Sequence, residues 1–353
     1  MYKHALTRRR FLKEGAFVAA GAGLGHFRLP PFDVEAKTPA EDTLAFIRRC
    51  LRDDGGYNPS PDPQYPGNSD THASDLAAVT YALTIAKTLG WVLPNTGRSA
   101  EFVQSHQQKD GSFANKAGRF NPKDDLAILY NTTQAVVALR VLDQKPAIDP
   151  YHAFDRFFVG QIFKKLPWYT TSFFPLFYAC LGKPFPREYD LALRDWLVSN
   201  QSEDGYVGDH VAATFHMAHY FRMVGRPTPR AGKMVGRVLR DQKPDGGWNI
   251  KEPDWDVHAC FDAVFILRQL GGDSDRVRAS ISRAADWAMR CRNADGGFGH
   301  FPTWHSDMDA VYFQFGTLIQ AGRVPAAVGS RSDGNTLSWG HAMDPHRTYG
   351  ATT

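Results

Sequence analysis

Apolar positions recur along this chain with helical spacing, in stretches that come in pairs. Amphipathic stretches run over 39–52, 98–108, 151–163, 187–201, 232–242 and 274–293. Each is followed by a stretch apolar on most faces, over 73–89, 125–142, 169–181, 211–224, 256–270 and 307–321. The pattern predicts twelve helices, the amphipathic ones on a surface and the uniformly apolar ones inside. Punctuation agrees. Thr38-Pro39-Ala40-Glu41 reads as a capping box with a first-turn proline, and Gly90, Gly182, Gly225, Gly271 and Gly322 stand just past helix ends.

Between the members of a pair a turn recurs: Asp54-Gly55-Gly56-Tyr57, Asp110-Gly111-Ser112-Phe113, Asp204-Gly205-Tyr206, Asp245-Gly246-Gly247-Trp248 and Asp295-Gly296-Gly297-Phe298. The Asp-Gly steps are separated by 56, 94, 41 and 50 residues, and the long gap reads as two units with a degenerate copy near residue 157. One hairpin repeated at such a period cannot bury its apolar face alone. Six hairpins that alternate outer and inner helix are expected to close into an all-α ring, a single (α/α)6 barrel over 37–322. In such a toroid the inner helices run parallel and their N-termini gather at one mouth, where dipoles and unpaired N–H groups favour a binding site. The tail, 323–353, is expected to wrap the outside.

Charge changes the picture only at the start of the chain. Of 41 Lys and Arg against 37 Asp and Glu, residues 1–36 hold six and three, which leaves the rest near neutral and argues against a nucleic-acid partner. Thr7-Arg8-Arg9-Arg10-Phe11 precedes a short Ala/Gly-rich run, 15–25, too short to span a bilayer. This segment resembles a twin-arginine signal peptide with Arg8 and Arg9 as the pair. The resemblance implies export of a folded protein by the twin-arginine machinery to a periplasmic or otherwise extracytoplasmic location. Cys50, Cys180, Cys260 and Cys291 form no C-x-x-C pair and are expected as buried free thiols. No nucleophile elbow, phosphate loop, H-E-x-x-H or dinucleotide fingerprint occurs.

Gln242-Lys243-Pro244-Asp245-Gly246-Gly247-Trp248 resembles the glutamine-tryptophan repeat of the terpenoid cyclase and protein prenyltransferase superfamily, with Gln107 to Phe113 and Gln201 to Tyr206 as weaker copies. The resemblance implies an α/α toroid. The repeat specifies fold rather than reaction.

Aligned from their terminal glycines, the inner helices place Asp75, Asp256 and Asp307 in equivalent positions, and Ala77, His258 and Asp309 two residues later. The same rim carries Asp70, His72, Asp124, Asp125, Trp168, Tyr169, Asp209, His210, Asp254, Asp262 and His305. An aspartate at a helix start caps or complements the dipole; a histidine there gains nothing from being protonated and reads as a ligand or acid–base group. His216 and His219, deeper in an apolar helix, read as core groups or cavity lining.

The prenyltransferase resemblance implies a zinc site. Asp256 and His258 would stand where that family has Asp-x-Cys, and Asp309 or His305 would stand in for its later histidine. The class II terpene cyclase resemblance implies instead a protonating acid, Asp256 or Asp309, within Asp254-Trp255-Asp256-Val257 or Asp307-Met308-Asp309-Ala310, each of which keeps two acids of an Asp-x-Asp-Asp motif and loses the last. Tyr130, Trp168, Phe173, Phe177, Phe215, Phe261, Phe265, Tyr312 and Phe315 would line an aromatic cavity suited to an isoprenoid, lipid-like substrate, or simply fill a core. Two further readings stay open: a non-catalytic toroid that binds a ligand or partner, and a saccharide-active enzyme built on paired carboxylates.

Overall fold

The computed structural model describes residues 38–67, 69–250 and 258–326. Asp254, Asp256, the proposed signal segment and nearly all of the expected wrapping tail lie outside the described residues. The outer helices are α1 (Pro39–Cys50), α3 (Thr96–Gln104), α5 (Tyr151–Val159), α7 (Arg187–Ser199), α9 (Ala231–Asp241) and α11 (Asp275–Arg290). The inner helices are α2 (Asp75–Leu89), α4 (Asp125–Val141), α6 (Phe173–Cys180), α8 (Val211–Met223), α10 (His258–Leu270) and α12, which joins Met308–Ala310, a π-helical segment Val311–Phe315 and Gly316–Gln320. Among the described residues no strand forms, only isolated bridges such as Gln107 to Phe113 that pinch the repeat turns, and no helix is long and apolar enough to cross a membrane.

Burial follows the predicted layers. Helix α2 exposes little beyond its ends, whereas α7 buries only Asp190, Leu193 and Leu197. Thr38 and Glu41 form the reciprocal cap of α1. Four inner helices are followed by a left-handed glycine, Gly90, Gly182, Gly225 or Gly322; after α4 Asp143 takes that conformation, and after α10 it falls to Gly272 rather than Gly271.

The repeat turn explains how hairpins join. In every copy the Asp carboxylate accepts the N–H two residues on: Asp54 from Gly56, Asp110 from Ser112, Asp204 from Tyr206, Asp245 from Gly247 and Asp295 from Gly297. The glycine adopts a φ of +83° to +93° and lies against the backbone of the next outer helix or its entry. A Cβ on Gly246 would stand 2.3 Å from Arg283 O, and one on Gly296 would stand 2.5 Å from Asp42 O, so the last turn docks on the first helix and closes the ring. Gln201 and Gln242 bridge their own turn and the following hairpin, Gln242 Nε2 donating to Gly246 O at 3.0 Å and Ser280 O at 2.9 Å. The terminal aromatics, Tyr57, Phe113, Tyr206, Trp248 and Phe298, are all buried. Inside, Tyr81 of α2 stacks on Tyr312 of α12 at 3.9 Å, which completes the circle.

The third hairpin departs from the pattern. The run expected to be helical over 151–163 breaks at Gly160, and Gln161 turns left-handed before a 3₁₀ turn, Ile162–Lys165. Pro167 then delays the inner helix to Phe173, after a second 3₁₀ turn, Trp168–Thr170.

Gly246→Ala should lower unfolding stability by roughly 1–3 kcal/mol, because the new methyl meets both a positive φ and a neighbouring carbonyl. Gly232→Ala, at a helical position with open space around it, should be neutral or stabilising by up to about 1 kcal/mol. Urea unfolding midpoints compare the two.

Candidate active site at the mouth of the barrel

Where α12 begins, Asp307 caps the helix, its Oδ1 accepting from Ala310 N at 2.7 Å. Its Oδ2 accepts from the Tyr65 hydroxyl at 2.9 Å and lies 2.9 Å from His300 Nε2. One step inward is Asp309, only 1% exposed. Its Oδ2 lies 3.6 Å from His258 Nε2 and 3.7 Å from His300 Nε2. Its Oδ1 is buried and has no hydrogen-bond partner. Burial pushes the Asp309 carboxyl above the usual carboxylate range, while His258 and His300 hold it partly back. Asp70, from the turn of helix before α2, joins the group: Asp70, His258 and Asp309 offer ligand atoms within 4.8 Å of one another, and so do His300, Asp307 and Asp309.

The cluster rests on an aromatic belt drawn from all six inner helices. His258 stacks on Phe313 at 3.8 Å, and Phe313 touches Tyr81 and Phe261. The Tyr81 hydroxyl meets that of Tyr130 at 3.1 Å, Tyr130 packs on Phe173, and Phe173 packs on His216. Phe215 returns to Phe261. All but His258 are buried, so at this level the rings fill the axis rather than line an open hole. Phe177 and Phe315 do not belong to the belt: Phe177 stacks on Phe154 of α5 at 3.6 Å, and Phe315 faces Trp91 and Phe298. Phe265 packs deeper, against Phe215.

Several rim candidates serve the scaffold. His305, expected as a ligand, is half exposed and faces Asp62 at 3.3 Å; it stands in neither group of metal-ligand type at the mouth, whereas His300 does. Asp75 aligns with Asp307 in sequence, yet it pairs with His106 at 3.0 Å and accepts Ala117 N at 3.1 Å. Asp125 and Asp209 pair with Arg156 and Arg237. His210 caps α8. His216 is held by Ser172 Oγ at 2.7 Å, and burial lowers the His219 pKa to about 3.

A serine beside the Asp75–His106 pair looks like a triad and is not one. His106 Nδ1 lies 2.7 Å from Phe102 O, an acceptor only, so this nitrogen carries the proton and offers no lone pair to Ser105.

Sequence reasoning missed His300 and Tyr65. Both sit in irregular segments, where helical periodicity carries no signal. The usable clue was position: His300 follows the last repeat turn by two residues, on the way to α12.

In chelator-treated protein, Asp309→Asn should raise the Tm at neutral pH. A carboxyl whose native pKa is raised contributes stability in acid that is lost as pH rises through that native value. The advantage of the variant should therefore vanish below about pH 4. Melting curves of both proteins across pH check the difference.

The model of the prenyltransferase alpha-alpha toroid domain matches residues 29–157 and 170–341. Among solved structures, Candida albicans protein geranylgeranyltransferase-I complexed with GGPP superposes with a TM-score of 0.54 at 14% identity, over 80% of this chain and 90% of that one. The type II terpene cyclase MstE from Scytonema superposes with a TM-score of 0.50 at 15% identity, over 80% and 96%. An uncharacterised protein of Sinorhizobium fredii is 24% identical over 190 residues, 49% of this chain and 35% of its own length. A second, of Bradyrhizobium diazoefficiens, matches to the same extent, so the chain spans about a third of the length of these curated relatives. Fold, repeat turn and family model agree, and the chain belongs to the prenyltransferase alpha-alpha toroid family.

Proposed function

We propose that this protein is an exported toroid enzyme that acts on a lipid-like, isoprenoid substrate, with Asp70, His258 and Asp309 holding a divalent metal such as zinc. The observation that carries the reading is Asp309 Oδ1, a buried carboxylate oxygen without a partner among groups of metal-ligand type. Left unmade, such a bond costs roughly 1–3 kcal/mol, and a scaffold has no need to retain it. One imidazole and two carboxylates suit zinc or another first-row divalent ion. When bound, the metal would supply Lewis acidity at a substrate oxygen.

The chain's own groups prepare the site. Phe313 orients the His258 ring by stacking, the Tyr130 hydroxyl reaches Asp70 at 3.4 Å, and the belt excludes water beneath them. The Candida relative is described in complex with GGPP and the Scytonema relative as a terpene cyclase, which supports an isoprenoid class here.

The raised pKa of Asp309 favours a second reading, in which it stays protonated and donates its proton to an alkene. A non-catalytic docking role and a saccharide substrate have less support. Among the described residues the most exposed large apolar side chains, Val92 and Val159, lie on the first and third hairpins. The carboxylates converge together with histidines, all within 4.8 Å, an arrangement of metal-ligand type.

Metal analysis of protein purified after cytoplasmic folding should find bound metal, and His258→Ala and Asp70→Ala should each lower its content by about one ion per chain with the fold intact by circular dichroism. A metal-free protein that turns over an isoprenoid and is inactivated by Asp309→Asn would replace the metal reading with the proton-donor one. Export has its own check: changing Arg8 and Arg9 to Lys should leave the protein in the cytoplasmic fraction, and continued export would discard the address.

A further inference from the structure

The His258 side uses only part of the ligating groups at the mouth. On the other side His300, Asp307 and Asp309 form a second group within 4.8 Å, and Asp309 belongs to both. We propose that the mouth is a two-metal centre in which the Asp309 carboxylate bridges two divalent transition-metal ions, Asp70 and His258 completing one position and His300 and Asp307 the other. This rests on the metal reading above and extends it.

Spacing is the first argument. Two ligands each about 2.0–2.1 Å from one ion stand roughly 2.9 Å apart at a right angle and roughly 3.3 Å apart at a tetrahedral angle. His300 Nε2 is 2.9 Å from Asp307 Oδ2 and 3.7 Å from Asp309 Oδ2, and His258 Nε2 is 3.6 Å from Asp309 Oδ2. The two longer separations exceed an ordinary hydrogen bond and come close to the span across a shared ion.

The second argument is the carboxylate itself. A carboxylate can bridge two ions through one oxygen; Asp309 Oδ2 faces both histidines, and Oδ1, buried with no hydrogen-bond partner, is left for either ion.

Charge and support agree. Ionised together, Asp70, Asp307 and Asp309 would place three negative charges in one largely buried space, and two divalent ions offset that repulsion where a single one leaves a deficit. The proposed ligands are also held from behind. Tyr65 and Ala310 N fix Asp307, Tyr130 reaches Asp70, and Phe313 fixes the His258 ring, the kind of outer support that orients metal ligands. With no thiolate in either set, the donors suit zinc, manganese, iron or cobalt.

Chelator-stripped protein titrated with Zn²⁺ by calorimetry should bind two equivalents per chain. His300→Gln and His258→Gln should each bind one, and Asp309→Asn should weaken both positions at least tenfold. Loaded with Mn²⁺, the wild type should give an electron paramagnetic resonance spectrum of coupled spins, absent from either histidine variant. Should a variant fail to fold, the wild-type stoichiometry and coupled spectrum decide alone. One equivalent in the wild type overturns the second position and leaves the metal reading standing; no equivalents overturn both. Two equivalents retained in His300→Gln, or two uncoupled ions in the wild type, overturn the shared bridge.

Discussion

A left-handed glycine pressed against a neighbouring backbone is the joint on which this ring depends. At each repeat turn the chain must reverse while the next outer helix lies at van der Waals distance, and no side chain fits between them. Asp holds each turn from within, Gln107, Gln201 and Gln242 tie three of the five to the hairpin beyond, and a buried aromatic fills the space beneath. The angle between successive hairpins follows from this contact. Because the last turn meets α1 as the others meet their successors, closure needs no separate device.

Parallel inner helices follow from the same joint, and they collect helix N-termini at one mouth. That end attracts carboxylates and discourages protonated histidine. Asp307 satisfies the local demand as a cap, which leaves Asp309 to face the interior. A π-helical segment begins two residues after Asp309, a distortion common near functional groups. The scaffold thus holds a desolvated carboxylate beside two imidazoles, a placement that favours an ion or a proton over an empty pair of oxygens.

Most of the architecture was legible because it depends on residue types with few substitutes. Asp-Gly followed by an aromatic marks the joint wherever it occurs, and the two kinds of helix differ plainly in apolar coverage. The third hairpin was misjudged in its boundaries because Gly160 and Pro167 overrode the apolar spacing around them. At the mouth, alignment from helix ends brings Asp309 and His258 to one level, yet the same alignment gives Asp75 an equivalence its side chain does not share, since His106 draws it away. His305 and His300 show the limit. Both precede α12 in irregular backbone, and only tertiary contacts determine which imidazole turns inward.

The cluster also straddles a seam. Tyr65 and Asp70 come from the first hairpin, while His300, Asp307 and Asp309 come from the last, so the Tyr65 to Asp307 contact spans 242 residues of chain. Loops of that length close late in folding, after local hairpins have formed. Until they close, Asp70 stands apart from His258 and Asp309, and only His300, Asp307 and Asp309, which share the last hairpin, are together. Whatever bridges the seam then acts as a clasp, since a ligand held only by the closed ring stabilises it in proportion to the logarithm of its concentration. Binding at this mouth and resistance of the ring to opening are therefore one equilibrium seen from two sides.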